Sequence, residues 1–359
     1  MKTANNNYVV SANQKVNSTQ NDFKTTCLNG NVVSVWQQMY NANTKKAFTT
    51  ATTSDALGNI YVAGSTYING TNGQDLTVMK YNSAGLQQWV KHYNGPGNNY
   101  DIASGIVVDN AGNVYVTGAS VGLFFALVDY VTIKFNSAGT QQWATRYNFS
   151  NGIDIPAGIT LDNSGNVIVS GSSASSSINN NWDFATVKYN ASTGVQMQVQ
   201  RQTNTGNAQD KLIAQTKDNN GNIYTTGITS SNGTNFDVQT IKYDQNMNVI
   251  WVKTFDGYGK FDQGTDIAVD NVGNVIVTGY ATRNNLTKEL LVLSYSSNGN
   301  LNFKTLKQPL YDASNAEGIK VNIKSANEIF IGGNYTTSGN QDMVILRFDS
   351  RKKQLRKNL

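Results

Sequence analysis

Cysteine and histidine are almost absent from this sequence: its 359 residues include one of each, Cys27 and His92. A single cysteine excludes a disulfide framework within the chain, and the same scarcity excludes a zinc centre built from cysteine and histidine. A Ser-His-Asp triad would need His92, which the strand pattern places beside Tyr93 on an outer strand, away from the variable loops. Thiol, zinc and triad chemistry are therefore all disfavoured.

Charge is scarce as well, with 14% charged residues and a formal net charge of +5. The last nine residues, RKKQLRKNL, carry five basic side chains and no acid, so the rest of the chain has 23 basic and 23 acidic residues. A nucleic-acid binder would spread its basic residues over one face, and this body has no such excess. We therefore expect no nucleic-acid partner.

Long apolar runs are also missing. The longest, VGLFFALV from Val121 to Val128, is far too short to span a bilayer, and the opening MKTANNNYVV lacks the apolar core of a secretory signal. We expect no membrane span. A chain that begins after a cleavage site remains compatible with secretion.

The sequence instead has a repeat with a period of 52–56 residues, which two independent elements reveal. The first element reads GNIYVAG at Gly58 and occurs seven times, counting a degenerate first copy, NNNYVVS, and a worn last copy, NEIFIGG. The second reads DLTVMKYNSAGLQQW at Asp75 and also occurs seven times. Two elements with the same count predict one domain of seven structural units. Their approximate limits are 5–57, 58–111, 112–164, 165–220, 221–272, 273–326 and 327–359.

Each unit is predicted to contain four β-strands, such as ASGIVVD, NVYVTG, YVTIKF and QQWATRY between Ala103 and Tyr147. Two connections are short and uniform: DNAG joins the first strand to the second, and NSAG joins the third to the fourth. In both, Asp or Asn can hydrogen-bond the turn backbone and Gly can adopt a positive φ. Tryptophans recur at one position of the outer strand, which favours packing between units: Trp36, Trp89, Trp143 and Trp251.

The DxxGNVYVTG core and the D…T-K-Y-N-x-x-G…W half resemble the beta-propeller repeat family, whose seven-bladed propellers are common in bacterial surface and secreted proteins. The resemblance covers nearly the whole chain. It implies an all-β, seven-bladed β-propeller of four-stranded antiparallel blades, an extracellular or cell-surface location, and no defined biochemical activity. The chain starts in a second strand, so the first blade is expected to lack its inner strand. Two explanations stay open: a native chain that continues past Leu359, or a start that is missing upstream of Met1.

Candidate binding residues lie on the long connections between second and third strands and between the fourth strand and the next blade. These connections vary between repeats, whereas the short turns do not, and function on repeat scaffolds concentrates on such loops. Aromatic side chains there could stack on sugar rings or anchor a protein partner, or they could tuck between neighbouring loops. The candidates are Tyr100, Phe124, Phe125, Trp182, Phe236 and Tyr258.

Aspartates also recur on this predicted face. One set opens the third strands: Asp75, Asp129, Asp183, Asp237 and, in the last unit, Asp342. A second set lies eight residues before the turn aspartates: Asp101, Asp154, Asp210 and Asp262. Each carboxylate could satisfy backbone N–H groups at a strand entrance, or Asp75, Asp129, Asp183 and Asp237 could bind calcium through hard oxygen ligands. No segment has the spacing of an EF-hand loop, and no other cofactor is indicated.

Three classes of function remain open. A non-catalytic scaffold that binds protein or glycan on the variable face is favoured, because no unique catalytic constellation stands out from the repeat. A polysaccharide-active enzyme that uses two carboxylates is the second. An architectural module, a fragment of a larger secreted protein, is the third. The oligomeric state cannot be inferred from the sequence.

Overall fold

The computed structural model describes residues 1, 3, 7–17, 20–40, 46–68, 73–123, 127–176, 181–203, 209–230, 235–308, 315–325, 328–336, 340–348 and 354–355. These residues form 27 strands and no helix, so none of them makes a helix with the length and apolar character needed to cross a membrane. Two compact units are distinguished. The first is Met1–Val169 with Ser173–Asn179 and Val187–Val199, and the second is Ser170–Ser172 with Asn180–Thr186 and Gln200–Leu359.

Strands that follow one another in the chain pair with one another, and the groups are called blades 1 to 7 below. Blade 1 is β1 (Tyr8–Lys15), β2 (Asn21–Leu28) and β3 (Ser34–Tyr40). Blade 2 is β4 (Ala47–Ser54), β5 (Ile60–Tyr67), β6 (Gln74–Tyr81) and β7 (Gln87–Tyr93). Blade 3 is β8 (Asp101–Val108), β9 (Val114–Val121), β10 (Val128–Phe135) and β11 (Gln141–Tyr147). Blade 4 is β12 (Asp154–Leu161), β13 (Val167–Ala174), β14 (Trp182–Tyr189) and β15 (Gln196–Gln202).

Blade 5 is β16 (Lys211–Lys217), β17 (Ile223–Thr229), β18 (Asp237–Tyr243) and β19 (Val249–Phe255). Blade 6 is β20 (Asp262–Val269), β21 (Val275–Thr282), β22 (Lys288–Tyr295) and β23 (Leu301–Lys307). Blade 7 is β24 (Asn315–Ser325), β25 (Glu328–Thr336), β26 (Gln341–Phe348) and β27 (Gln354–Leu355). A single parallel pair, Lys288 with Asn315, joins blades 6 and 7. Blades 1 to 3 lie in the first unit and blades 5 to 7 in the second.

The second strand of a blade is its most buried element, as its apolar sequence predicts. All eight residues of β13 and of β21 are buried, because both faces of the strand are covered. Outer strands such as β7 are half exposed. Within blade 1 the described residues form three strands, with β1 at the edge, and Met1 pairs with Val9 on that edge at 2.8 and 2.9 Å. The predicted absence of an inner strand in blade 1 is thus confirmed for the described residues.

The side chain of Asp109 stabilises the backbone of the DNAGN turn. Asp109 Oδ1 accepts hydrogen bonds from the backbone N–H groups of Ala111 and Asn113 at 2.9 and 2.8 Å. Its Oδ2 accepts from the Asn113 amide at 2.8 Å and from the Tyr115 hydroxyl at 3.2 Å. Gly112 closes the turn with a φ of 78°, a conformation that favours glycine. The repeated aspartate is therefore a turn residue and not a ligand for a metal.

Each repeated tryptophan joins its blade to the next. The Trp143 indole N–H donates to the carbonyl of Ala191, 3.1 Å away, in the β14–β15 turn. Its ring lies against Gly194, whose φ is 71° and where an added Cβ would stand 2.6 Å from the Trp143 Cδ2 atom. The same hydrogen bond is made by Trp36, Trp89 and Trp251 to Ser83, Ser137 and Ser297. The tryptophans thus pack between blades, as the sequence indicates.

Candidate functional site

A row of polar side chains crosses blade 3 at the end where the long connections lie, called the loop end below. Asp101 of β8 pairs in register with Ser120 of β9, which pairs with Asp129 of β10. Arg146 of β11 completes the row, with Nη2 2.7 Å from Asp129 Oδ2 and Nη1 2.5 Å from Ser120 Oγ. In blade 4, Arg201 makes the equivalent 2.5 Å ion pair with Asp183. Both buried aspartates are therefore already neutralised by arginine.

Blades 2 and 5 lack this arginine. Arg146 pairs with the residue two positions after Asp129, and the same register places His92 in blade 2 and Thr254 in blade 5. His92 therefore stands near the loop end, and the prediction that it lies away from the variable loops is wrong. Among the described ion pairs, none involves Asp75 or Asp237. Burial and then the charge of Asp101 raise the pKa of Asp75 to about 6. Burial and then the charge of Asp256 raise the pKa of Asp237 to about 6.

Three carboxylates converge at the loop end of blades 5 and 6. One oxygen each from Asp237, Asp256 and Asp262 lies within 4.8 Å of the others, and no other described group of three potential ligands is this close. The starts of β18 and β20 are held together because the backbone N–H of Asp262 donates to the Phe236 carbonyl at 2.6 Å. Asp256 lies on the β19–β20 connection, which folds back as the Gly259 N–H donates to Asp256 Oδ1 at 2.6 Å.

The three carboxylates differ in their surroundings. Asp262 is fully buried and accepts backbone N–H bonds from Gly257 at 2.5 Å and Thr282 at 2.9 Å. Burial raises the pKa of Asp262 to about 6. The two backbone hydrogen bonds act to lower this pKa, and the charges of Asp256 and Asp237 act to raise it. Asp256 is exposed and Asp237 half-buried. Hard oxygen ligands of this kind are suited to a divalent cation such as calcium, while Asp262 also fulfils the backbone role considered from the sequence.

Tyr258 lies two residues after Asp256 on the connection between β19 and β20. Its hydroxyl donates to Glu289 Oε2 at 2.8 Å, and that hydrogen bond raises the pKa of Tyr258. Glu289 is 2% exposed, whereas Tyr258 is 38% exposed. Arg283 Nε lies 3.6 Å from Glu289 Oε1. An exposed aromatic ring is therefore fixed at the surface by a buried carboxylate.

A second group of rings lies at the same loop end. The Phe236 and Phe261 rings are 5.1 Å apart at 50°, and Phe261 stacks on Tyr280 at 6.0 Å and 14°. Lys288 Nζ lies 3.8 Å from the centre of the Tyr280 ring and 2.7 Å from Glu317 Oε1. Phe236 is half-buried in this stack, so it contributes both to packing between loops and to the border of the site.

The other sequence candidates lie elsewhere. Tyr100 is 47% exposed at the start of blade 3, and Trp182 is half-buried with Lys211 Nζ 5.6 Å from its ring centre. Phe124 and Phe125 lie outside the described residues. The four aspartates considered for calcium do not form one cluster among the described residues, since Asp129 and Asp183 are paired with arginine.

Sequence reasoning missed three parts of this site. The sequence could have indicated the arginines, because Arg146 and Arg201 occupy the same position of the repeated segments QQWATRY and QMQVQRQ. No sequence pattern indicates Asp256, because it stands on a connection that varies between repeats. Glu289 stands at the start of a third strand, where other blades have aspartate, and the sequence alone does not indicate its hydrogen bond with Tyr258.

The raised pKa values of Asp237 and Asp262 make stability depend on pH in a defined direction. Both carboxyls bind a proton more tightly in the folded chain, with pKa values of about 6, than at the ordinary value of 3.8. The folded state then holds more protons than the unfolded state between about pH 4 and 6, so stability rises as pH falls through this window. In buffer with a chelator, we expect a higher melting temperature at about pH 5 than at about pH 7.5.

Asp237→Asn should reduce this difference, whereas Asp342→Asn, at the exposed equivalent position of blade 7, should leave it unchanged. Thermal unfolding followed by circular dichroism measures the effect. Equal pH dependence in wild type and Asp237→Asn would contradict the assignment.

The comparisons with known proteins agree on the fold. Residues 88–125 match the beta-propeller repeat, described under the name SBBP. Curated protein sequences give no significant match. Among solved structures, the periplasmic gluconolactonase PpgL of Pseudomonas aeruginosa is 8% identical, with 98% of this chain and 95% of that chain covered and a TM-score of 0.56.

Two further structures have a comparable likeness. A polysaccharide lyase of a new family, an ulvan lyase bound to -[GlcA(1-4)Rha3S]-, is 12% identical over 98% of this chain and 93% of that chain, with a TM-score of 0.56. Prolyl oligopeptidase B from Galerina marginata is 12% identical over 99% of this chain and 49% of that chain, with a TM-score of 0.53. At these identities the likeness concerns the fold alone. Together with the strand order, it shows an all-β fold of the β-propeller type with a blade count consistent with seven, in which residues 88–125 match the beta-propeller repeat.

Proposed function

We propose that this β-propeller is a non-catalytic binding scaffold and that it binds carbohydrate at the loop end of blades 5 and 6. The observation that carries the proposal is Tyr258, an exposed ring fixed by the buried Glu289 beside three converging carboxylates. A ring whose hydroxyl is already hydrogen-bonded loses less conformational entropy on binding and can cover the apolar face of a sugar. The carboxylates of Asp237 and Asp256 can accept hydrogen bonds from sugar hydroxyls.

The charge of the site narrows the ligand class. Asp237, Asp256 and Asp262 lie together, none of the described ion pairs involves them, and Arg283 lies beside Glu289. A uronate or sulfate group would meet like charge there, which costs affinity. Neutral glycans, or glycans that carry an amine, therefore fit this site better than acidic polysaccharides.

A glycan array followed by calorimetry on the best ligand tests this proposal. Replacing Tyr258 by alanine is expected to weaken binding roughly 30-fold, which corresponds to about 2 kcal/mol for an aromatic residue that dominates a site. Tyr258→Phe keeps the ring but loses the hydrogen bond to Glu289, so an intermediate loss is expected.

Tyr100→Ala is the matched control, because Tyr100 is a similarly exposed tyrosine on the connection that leads into blade 3. It should leave the affinity unchanged. Binding only to acidic glycans, or equal affinities for wild type and Tyr258→Ala, would overturn the proposal.

A carboxylate-based enzyme acting on polysaccharide is the second candidate. It is favoured by one observation, the raised pKa values of Asp237 and Asp262, which allow a carboxyl to donate a proton in mildly acidic solution. Release of reducing ends from neutral glycans, lost in both Asp237→Asn and Asp256→Asn, would establish hydrolytic activity in place of simple binding.

We also propose that the protein acts outside the cell or at a bacterial surface, either alone or as a module of a larger secreted protein. This proposal rests on the family resemblance and on the low content of charge. A protein ligand at the same loop end is the alternative partner. In that case Tyr258→Ala would weaken binding of the protein ligand, and the glycan array would show no binding.

A further inference from the structure

Two more carboxylates are buried at the loop end of blades 2 and 3, where burial and then the charge of Asp101 raise the pKa of Asp75. Asp75 starts β6 and Asp101 starts β8, and their exposed fractions are 3% and 1%. They hold the same places in the repeat as Asp237 and Asp262, which meet within 4.8 Å at blades 5 and 6. The Oδ1 atom of Asp75 and the Oδ1 atom of Asp101 have no hydrogen-bond partner among the described residues. A buried, unpartnered carboxylate oxygen is costly, and two together are more so.

The described part of the chain supplies no cation for Asp75. His92 stands where blade 3 has Arg146, and its Nδ1 is 2.9 Å from Thr77 Oγ1 and its Nε2 3.4 Å from the Tyr40 hydroxyl. Burial lowers the pKa of His92, which keeps the ring neutral at neutral pH. Arg146 itself is occupied by Asp129 and Ser120. Burial raises the pKa of Asp101 and the charge of Arg146 acts to lower it, but no described cation pairs with Asp75, so the negative charge of the two carboxylates is only partly offset.

We propose that Asp75 and Asp101 bind a divalent cation of the calcium class between blades 2 and 3. Calcium prefers carboxylate oxygens and accepts waters and backbone carbonyls to complete its shell. Two carboxylates match its charge, and their free Oδ1 atoms become ligands. The proposal is independent of carbohydrate binding at blades 5 and 6.

Thermal unfolding in excess chelator and in millimolar calcium tests the proposal. Calcium is expected to raise the melting temperature of the wild type by roughly 3 °C, since a ligand that binds the folded state alone stabilises it by mass action. Asp75→Asn and Asp101→Asn should each lose this shift. Asp75→Asn should also melt higher than the wild type in chelator, because it removes one charge from the pair.

Two variants locate the ion. Asp342→Asn, the exposed equivalent in blade 7, should keep the full calcium shift. Asp237→Asn should keep the part of the shift that depends on Asp75 and Asp101, and calorimetry should find one calcium site fewer in Asp75→Asn than in the wild type. A wild type that does not respond to calcium overturns the proposal. A shift that survives in Asp75→Asn and disappears in Asp237→Asn also overturns it, because the ion would then belong to blades 5 and 6.

Discussion

Replacing Trp143 by alanine is expected to lower the free energy of unfolding by about 3–5 kcal/mol, the usual range for a large buried aromatic residue. The ring is 9% exposed, donates to the Ala191 carbonyl, and lies 6.1 Å from the ring of Tyr115. Its loss removes an apolar contact and a hydrogen bond between blades at once. Denaturant unfolding of the full chain measures the change, with Met197→Ala, at a 54% exposed position, as the neutral control.

The contact between the Trp143 ring and Gly194 provides a second test of this prediction. Gly194→Ala should be more destabilising than Gly165→Ala, because both glycines have a positive φ but an added Cβ meets a ring only at Gly194. Strained backbone alone costs about 1–2 kcal/mol. In the Trp143→Ala background the two glycine substitutions should cost the same. A difference that persists there would show that the ring is not what requires glycine.

Replacing Arg146 by methionine is expected to destabilise the protein by about 3–5 kcal/mol at neutral pH, the range for a buried ion pair that loses one partner. Asp129 is 4% exposed and would be left charged without its 2.7 Å partner. Adding Asp129→Asn should recover most of the loss, because the amide carries no charge. Denaturant midpoints of the single and double variants measure both effects.

Arg347→Met is the comparison for a surface ion pair. Arg347 is 44% exposed in its 2.9 Å contact with Glu328, and such pairs contribute about 1 kcal/mol or less. If Arg146→Met cost no more than Arg347→Met, the arginine would not be neutralising Asp129, and the distinction drawn between the blades would fail.

The fold was predictable because the same turn, strand and packing motifs recur along the sequence. Asp109 and Gly112 indicated a turn, the run from Val114 indicated a strand buried on both faces, and Trp143 indicated contact with the next blade. All of these depend on residues close in sequence or on copies of one motif. The edge position of β1 was predictable for the same reason.

The site was less predictable because it depends on departures from the repeat. Asp129 and Asp183 looked equivalent to Asp75 and Asp237, and only arginines on outer strands separate the two pairs. The cluster at blades 5 and 6 also needs Asp256, whose neighbours in space are distant in sequence. The sequence indicated Tyr258 as an aromatic residue on a variable connection, but its hydrogen bond to Glu289 joins residues that are distant in the chain.

The row across the loop end has a consequence for how such a protein can acquire new properties. Blades 2 to 5 carry the same third-strand carboxylate, and in blades 3 and 4 an arginine cancels it. Negative charge therefore remains available where the outer strand has no arginine, as in blades 2 and 5, and Asp256 adds to it at blades 5 and 6. One substitution on an outer strand can uncover a charged position while leaving the turns and tryptophans of the scaffold intact. Removing a neutralising arginine can thus create a charged binding position without any change in the acidic residues.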